Sequence, residues 1–277
     1  MLYHIALLSQ SSSVALTDLM SVAAALQKQV LRDFEPHWNV TATIDCFPEM
    51  VNVPVGYWPV IIVDQIATGE LGTHGQRDRQ PIAMVQAKSD WSLTASHEIL
   101  EMLADPFASR LIAGDSITGD NLRMEYLMEV CDPCQDPAYG YRINGVLVSD
   151  FYTPQYFDAS GTSGAQYDFV GAMSAPRTVL EGGYLSWRDP LTNHLCRADM
   201  FNSQVWISDL GDMPTSIVSL RSFIDSMPVP RKRKRLRTAK IKRAPEGYAQ
   251  RQANHLLASK AKADRLRREF VSLHLNS

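Results

Sequence analysis

The segment Ser96-His97-Glu98-Ile99-Leu100-Glu101-Met102-Leu103-Ala104-Asp105-Pro106 constrains this chain more than any other. Trp91-Ser92-Leu93 leads into a helix over about 93–104, and Asp105-Pro106 closes it, because proline disfavours helical backbone in the residue before it. Ile99, Leu100, Met102 and Leu103 make this helix apolar enough to lie in a core. An imidazole and two carboxylates are costly there unless something offsets their burial. Residues i and i+4 of a helix share a face, so His97 and Glu101 can offer a nitrogen and an oxygen to one cation, with Glu98 one step round. Taken alone the pattern also fits a solvated helix face carrying a surface histidine; the apolar neighbours and nearby acids favour a bound cation.

The spacing is that of the HExxH metalloprotease motif with glutamate in place of the second histidine. In that motif the metal lowers the pKa of a water and polarises the scissile carbonyl, while the glutamate is the general base. Glu98 is therefore the candidate catalytic base, and His97 and Glu101 are candidate ligands of a divalent metal, zinc first among them. A catalytic zinc takes three protein ligands and keeps one open position. Asp105, four residues past Glu101, can approach the same face. Glu129-Val130-Cys131-Asp132 supplies two further carboxylates between apolar residues, and Glu129 is placed ahead of Asp132 as the third ligand. A carboxylate in place of a neutral imidazole makes the ion less electrophilic.

The series Trp91-Ser92, Ser96-His97-Glu98-x-x-Glu101-x-x-x-Asp105-Pro106, Glu129-Val130-x-Asp132, then Gly145-Val146-x-Val148-Ser149-Asp150-Phe151-x-x-Pro154-x-Tyr156-Phe157, resembles a group of bacterial zincin-like proteins with an HExxExxxDP…ExxD pattern. Gly56-Tyr57-Trp58-Pro59-Val60 and Leu71-Gly72-Thr73-His74 belong to the same resemblance, which spans about residues 55–190. It implies an active-site helix under a sheet whose edge strand lines a substrate cleft. By that resemblance Ile82–Val85 would be the edge strand, with an extended peptide pairing to it.

The rest of the chain reads as an α+β protein: a mixed sheet with the active-site helix, then a loop- and strand-rich half, then a basic helical tail. Strands are expected at Tyr3–Leu8, Val40–Phe47, Tyr57–Val63 and Ile82–Val85. Ser11–Ser13 and Thr17-Asp18 supply turn and capping chemistry before a helix from Leu19 to about Phe34, stopped by Pro36. Residues 122–196 carry short β-like runs between turn residues, and a short helix fits Thr215–Met227. The serine run lacks the context of a nucleophile. Cys131-x-x-Cys134 has no second ligand pair and reads as two incidental thiols. His74 sits in a Gly-flanked loop before the expected edge strand, from which it could reach the cleft, although a solvated loop histidine is the favoured reading. Asp150 and Tyr152 could steady an oxyanion, but the aromatics around them most simply pack a core.

Charge divides the chain sharply. Residues 1–230 hold 12 Lys+Arg against 27 Asp+Glu, or −15, whereas residues 231–277 hold 15 against 3, or +12. The expected organisation is a zincin-like body over 1–228, a basic linker over 229–244 and a basic amphipathic helix over 245–277. Nine of the thirteen residues 231–243 are Lys or Arg, which points to nucleic-acid phosphates as a partner, with the acidic body itself or an anionic membrane surface bound through the amphipathic helix as alternatives. No apolar run suits a membrane span and no leader is visible, so the expected location is cytoplasmic or virion-associated. Two functions follow: a metal-dependent hydrolase of peptide bonds localised by its tail, or a non-catalytic structural or packaging protein that keeps the scaffold and binds nucleic acid.

Overall fold

A computed structural model describes residues 2–66, 70–158, 164–215, 219–227 and 234–236. The first sheet contains β1 (Leu2–Ser9), β2 (Thr41–Cys46), β3 (Trp58–Val63), β4 (Gly72–Arg77) and β5 (Gln80–Gln86) in the order β2-β1-β3-β5-β4. β1 runs parallel to β2 and β3, β3 is parallel to β5, and β4 alone is antiparallel. Ile5 and Leu7 point into the main core with Val60, Ile62, Ala83 and Val85. Ala6, Leu8 and Ile61 face the other way and are covered by Phe47, Val53 and Tyr57 from the β2–β3 connection, not by a helix.

Helix α1 (Leu16–Gln29) packs on β1 and β2 and buries Leu19, Val22, Ala23 and Leu26 at helical spacing. It begins one residue before Thr17, so Thr17 and Asp18 lie in its first turn; the cap position is Ala15. Pro36 does not stop the helix as the sequence suggested. The chain widens into a π-helical turn over Val30–Phe34, with the Glu35 N–H donating to Val30 O, and continues as α2 (Glu35–Trp38). The proline has no N–H to give to the helical ladder, and it falls where the ladder is already widened by the π turn. Asn39, left-handed at φ 53°, ends the element.

Ile82–Val85 is not the edge strand. It lies within β5, between β3 and β4, and the edge is β4, Gly-Thr-His-Gly-Gln-Arg. β4 has little strand propensity of its own and is held by a two-residue turn, Asp78-Arg79, with both φ positive at 53° and 65°. That geometry matches strand twist in a tight hairpin.

Helix α3 (Trp91–Ala104) packs against β4 and β5, and against a small hairpin of β8 (Tyr141–Ile143) and β9 (Val146–Val148). A second, wholly antiparallel sheet joins β6 (Leu111–Asp115), β7 (Arg123–Leu127), β10 (Tyr184–Arg188), β11 (His194–Phe201), β12 (Gln204–Asp212) and β13 (Lys234–Arg235) in the order β13-β12-β11-β10-β7-β6. The strand-rich second half is thus present, and the short helix appears as α4 (Leu220–Ser226). Of the basic segment, β13 pairs with β12 and the Leu236 N–H donates to Val205 O. The helix expected over 245–277 lies outside the described residues. Among the described residues no helix is long and apolar enough to cross a membrane.

Candidate metal centre

α3 is fixed in rotation by a buried polar relay. Ser96 Oγ donates to Gln29 Oε1 (2.7 Å), Gln29 Nε2 donates to Ser149 O (2.9 Å), and the Ser149 N–H donates back to Ser96 Oγ (2.9 Å). A buried network with its members mutually satisfied specifies one arrangement. This one ties α1, α3 and the segment after β9 together beside His97.

His97, Glu98, Glu101, Glu129 and Asp132 are all buried, and the structure brings them together as the sequence suggested. His97 Nε2 lies 3.1 Å from Glu101 Oε2 and 3.2 Å from Asp132 Oδ1, without hydrogen-bond geometry to either. Glu101 Oε1 accepts the backbone N–H groups of Cys131 (3.1 Å) and Asp132 (3.2 Å). One oxygen therefore anchors α3 to the 131–132 turn, while the other faces His97. Asp105 takes a different part: it is buried, but its Oδ2 accepts the Arg110 N–H (2.6 Å) just past the helix end. It belongs to none of the convergent donor groups found among the described residues.

Two further residues join the cluster: His74, for which a solvated loop position was the favoured expectation, and Arg221, which was not foreseen. His74 is not a solvated loop histidine. It sits on β4 with its side chain fully buried, Nδ1 3.2 Å from Glu98 Oε2 and Nε2 3.6 Å from Glu129 Oε2. Arg221, from α4, donates through Nη1 to Glu101 Oε2 and to Glu129 Oε2 (2.9 Å). Its Nη2 lies 3.7 Å from Asp132 Oδ1 and 3.9 Å from Glu98 Oε1. The guanidinium is placed by α4, whose N-cap Ser219 accepts the Ser222 N–H, by the Arg221 N–H bond to Ala108 O (3.0 Å), and by Asp225 on Nε (3.2 Å). Leu220 and Ile224 anchor the helix among Leu127, Leu195 and Leu210.

The electrostatics follow from this packing. Burial disfavours a charged His97, but Glu101, Asp132 and Glu98 around it pull its pKa up to about 10. Burial likewise works against an ionised Glu101, yet the charges of Arg221 and His97 hold it well below the usual carboxylate range. Burial and the neighbouring Glu101 charge push Glu129 well above that range despite Arg221. The Cys131 thiol is pushed up by burial and donates weakly to His97 O (3.8 Å), so it stays a thiol in this arrangement.

Among the described residues several buried atoms here have no hydrogen-bond partner: His74 Nε2, His97 Nε2, Glu129 Oε1 and Asp132 Oδ1. Buried polar atoms are nearly always satisfied, so an unpaired set converging on one place fits an ion. Donor groups with mutual spacing suited to a metal are His97–Glu101–Cys131, His74–Glu98–Glu101 and Glu101–Glu129–Asp132. A cavity of about 440 Å³ opens beside them, lined by His97, Glu98, Arg221, Gly72 at the start of β4, Tyr184 and Asp136 among others. The secondary candidates take structural places: Asp150 lies beside Asp168, Tyr152 stacks on Tyr156 (4.4 Å), and Ser11 Oγ meets Ser13 Oγ in a turn. No protein-family model, curated protein or solved structure matches this chain.

Proposed function

We propose that this chain is a metal-dependent hydrolase of the zincin type, with His97, Glu101 and Asp132 holding one divalent ion and a peptide bond as its target. The observation that carries the reading is His97 Nε2 between two buried carboxylate oxygens, at 3.1 and 3.2 Å, with no hydrogen bond to either. Nitrogen and oxygen donors at about 2.0–2.1 Å around a tetrahedral zinc lie about 3.3–3.4 Å apart. The spacings of His97 Nε2 to Glu101 Oε2 and to Asp132 Oδ1 are close to that. Asp132 takes precedence over Glu129, because Glu129 faces His74 and Arg221.

A zinc ion held there would polarise a carbonyl and make water nucleophilic near neutral pH. Glu98 opens onto the same cavity and is the group to take the proton, with His74 Nδ1 on Oε2 holding the carboxylate in orientation. Among the described residues β4 is paired with β5 on one side only, and a groove of about 380 Å³ separates it from α4. An extended peptide would add to that edge.

The test is metal content beside turnover. The purified chain should hold one divalent ion that His97→Ala loses, and Glu98→Gln should keep the ion while losing hydrolysis of a peptide library. A wild-type chain that takes up no divalent ion sinks the proposal. A second reading, a non-catalytic structural or packaging protein whose basic segment holds nucleic acid, is favoured by one observation: Arg221 already supplies a cation to Glu101 and Glu129. Under it Glu98→Gln is silent.

A further inference from the structure

A zinc centre of two histidines and one carboxylate, as in the HExxH hydrolases, carries one negative charge from its ligands. His97, Glu101 and Asp132 carry two. That surplus draws electron density onto the ion and makes it a poorer electrophile. A permanent positive charge touching the anionic ligands would cancel it, and arginine is the side chain that stays charged when buried.

Arg221 has that placement. Its Nη1 donates to Glu101 Oε2, the same oxygen that faces His97, and its Nη2 lies 3.7 Å from Asp132 Oδ1. Glu101 cannot turn away to divide these tasks between its two oxygens, because Oε1 is held by two backbone N–H groups. A carboxylate oxygen has two lone pairs, so Oε2 can serve the guanidinium with one and the ion with the other. Arg221 is only 6% exposed, and its Nε bond to Asp225 and backbone bond to Ala108 keep it from swinging into solvent.

We infer that Arg221 is a charge-compensating positioning residue, whose guanidinium offsets the extra negative charge of Glu101 so that the His97–Glu101–Asp132 set equals a two-histidine, one-carboxylate set. The inference rests on the metal reading above. It has a consequence opposite to that of a merely structural arginine. Removing the guanidinium takes a repelling cation from beside the ion, so affinity rises while electrophilicity falls; a structural prop, once lost, would scatter the ligands and lower affinity.

The experiment is a competition titration of zinc against a chromophoric chelator, on the full chain. Arg221→Gln should bind zinc tighter by on the order of tenfold or more and lose hydrolysis, whereas Arg221→Lys should stay near the wild type in both. Equal or weaker zinc binding by a folded Arg221→Gln chain overturns the role. Breaking a buried ion pair from one side can unfold a protein, whereas replacing both partners is tolerated better. Should Arg221→Gln fail to fold, the pair Glu101→His and Glu101→His/Arg221→Gln decides the matter. The single variant sets a guanidinium against an imidazole and should bind zinc weaker than the double variant by on the order of tenfold; equal affinities overturn the role. No zinc binding by the wild-type chain overturns the metal reading itself, and with it this inference.

Discussion

Asp150 and Asp168 meet in the core, both fully buried. Asp168 accepts the N–H groups of Ala172 (2.8 Å) and Met173 (2.9 Å), whereas Asp150 Oδ1 accepts the Val170 N–H (3.1 Å) and its carboxyl lies against Asp168. Burial and the adjacent Asp168 push Asp150 well above its usual 3.8, so it carries a proton that it can donate to Asp168. A carboxyl whose pKa is raised by folding is fully favourable below its unfolded value and loses that contribution as pH rises through the folded value. Stability should therefore decline from about pH 4 upward through this pair. Asp150→Asn, which keeps a donor without a titrating proton, should raise the thermal midpoint at pH 8 by the equivalent of about 1 kcal/mol or more, the gain vanishing near pH 4. Equal midpoints at pH 8 would contradict the assignment. At this same scale, His97, Glu98 and Glu101 could be read from helical spacing, and Glu129 and Asp132 from two acids in an apolar stretch. Arg221 could not, being 120 residues from the glutamate it touches with no local pattern to mark it; His74, 24 residues from Glu98, was marked only by the Leu71-Gly72-Thr73-His74 resemblance and was expected in solvent.

The elements show where local signals hold and where they fail. β1, β2, β3, β5 and α3 appear where apolar periodicity put them, because each buries a face of its own. β4 escaped that reading, since its buried positions are Gly72 and His74 and carry no apolar pattern. Its closeness to α3 depends on Gly72: a Cβ there would come within 2.5 Å of both Glu98 Oε1 and Thr94 Cγ2. Gly72→Ala must push Glu98 or the strand aside, which should cost about 1–3 kcal/mol of stability. The expected result is a lower thermal midpoint, retained metal and much reduced hydrolysis, read by denaturation, metal content and turnover together. A variant with wild-type values in all three would show that β4 has slack against α3.

Over the whole molecule, a −15 segment is joined to a +12 segment, and this asymmetry is a property of composition alone. Phosphate contacts release counterions, so nucleic-acid binding by residues 231–277 should fall steeply with salt, by orders of magnitude between about 50 and 200 mM, and weaken strongly on truncation after Leu236, which removes ten of the fifteen basic residues of that segment. Binding titrations at several ionic strengths check this; a flat salt dependence removes the nucleic-acid reading. The sequence by itself determined the charge division, the α+β alternation and the His-Glu-x-x-Glu face of α3, because each is written in residues that are neighbours along the chain. Only the tertiary structure decided which strand is the edge, that Asp132 rather than Glu129 lies nearest His97, and that a guanidinium from α4 stands among the acids. Those outcomes depend on contacts between distant segments, where burial makes a charge choose whichever partner the fold brings within reach.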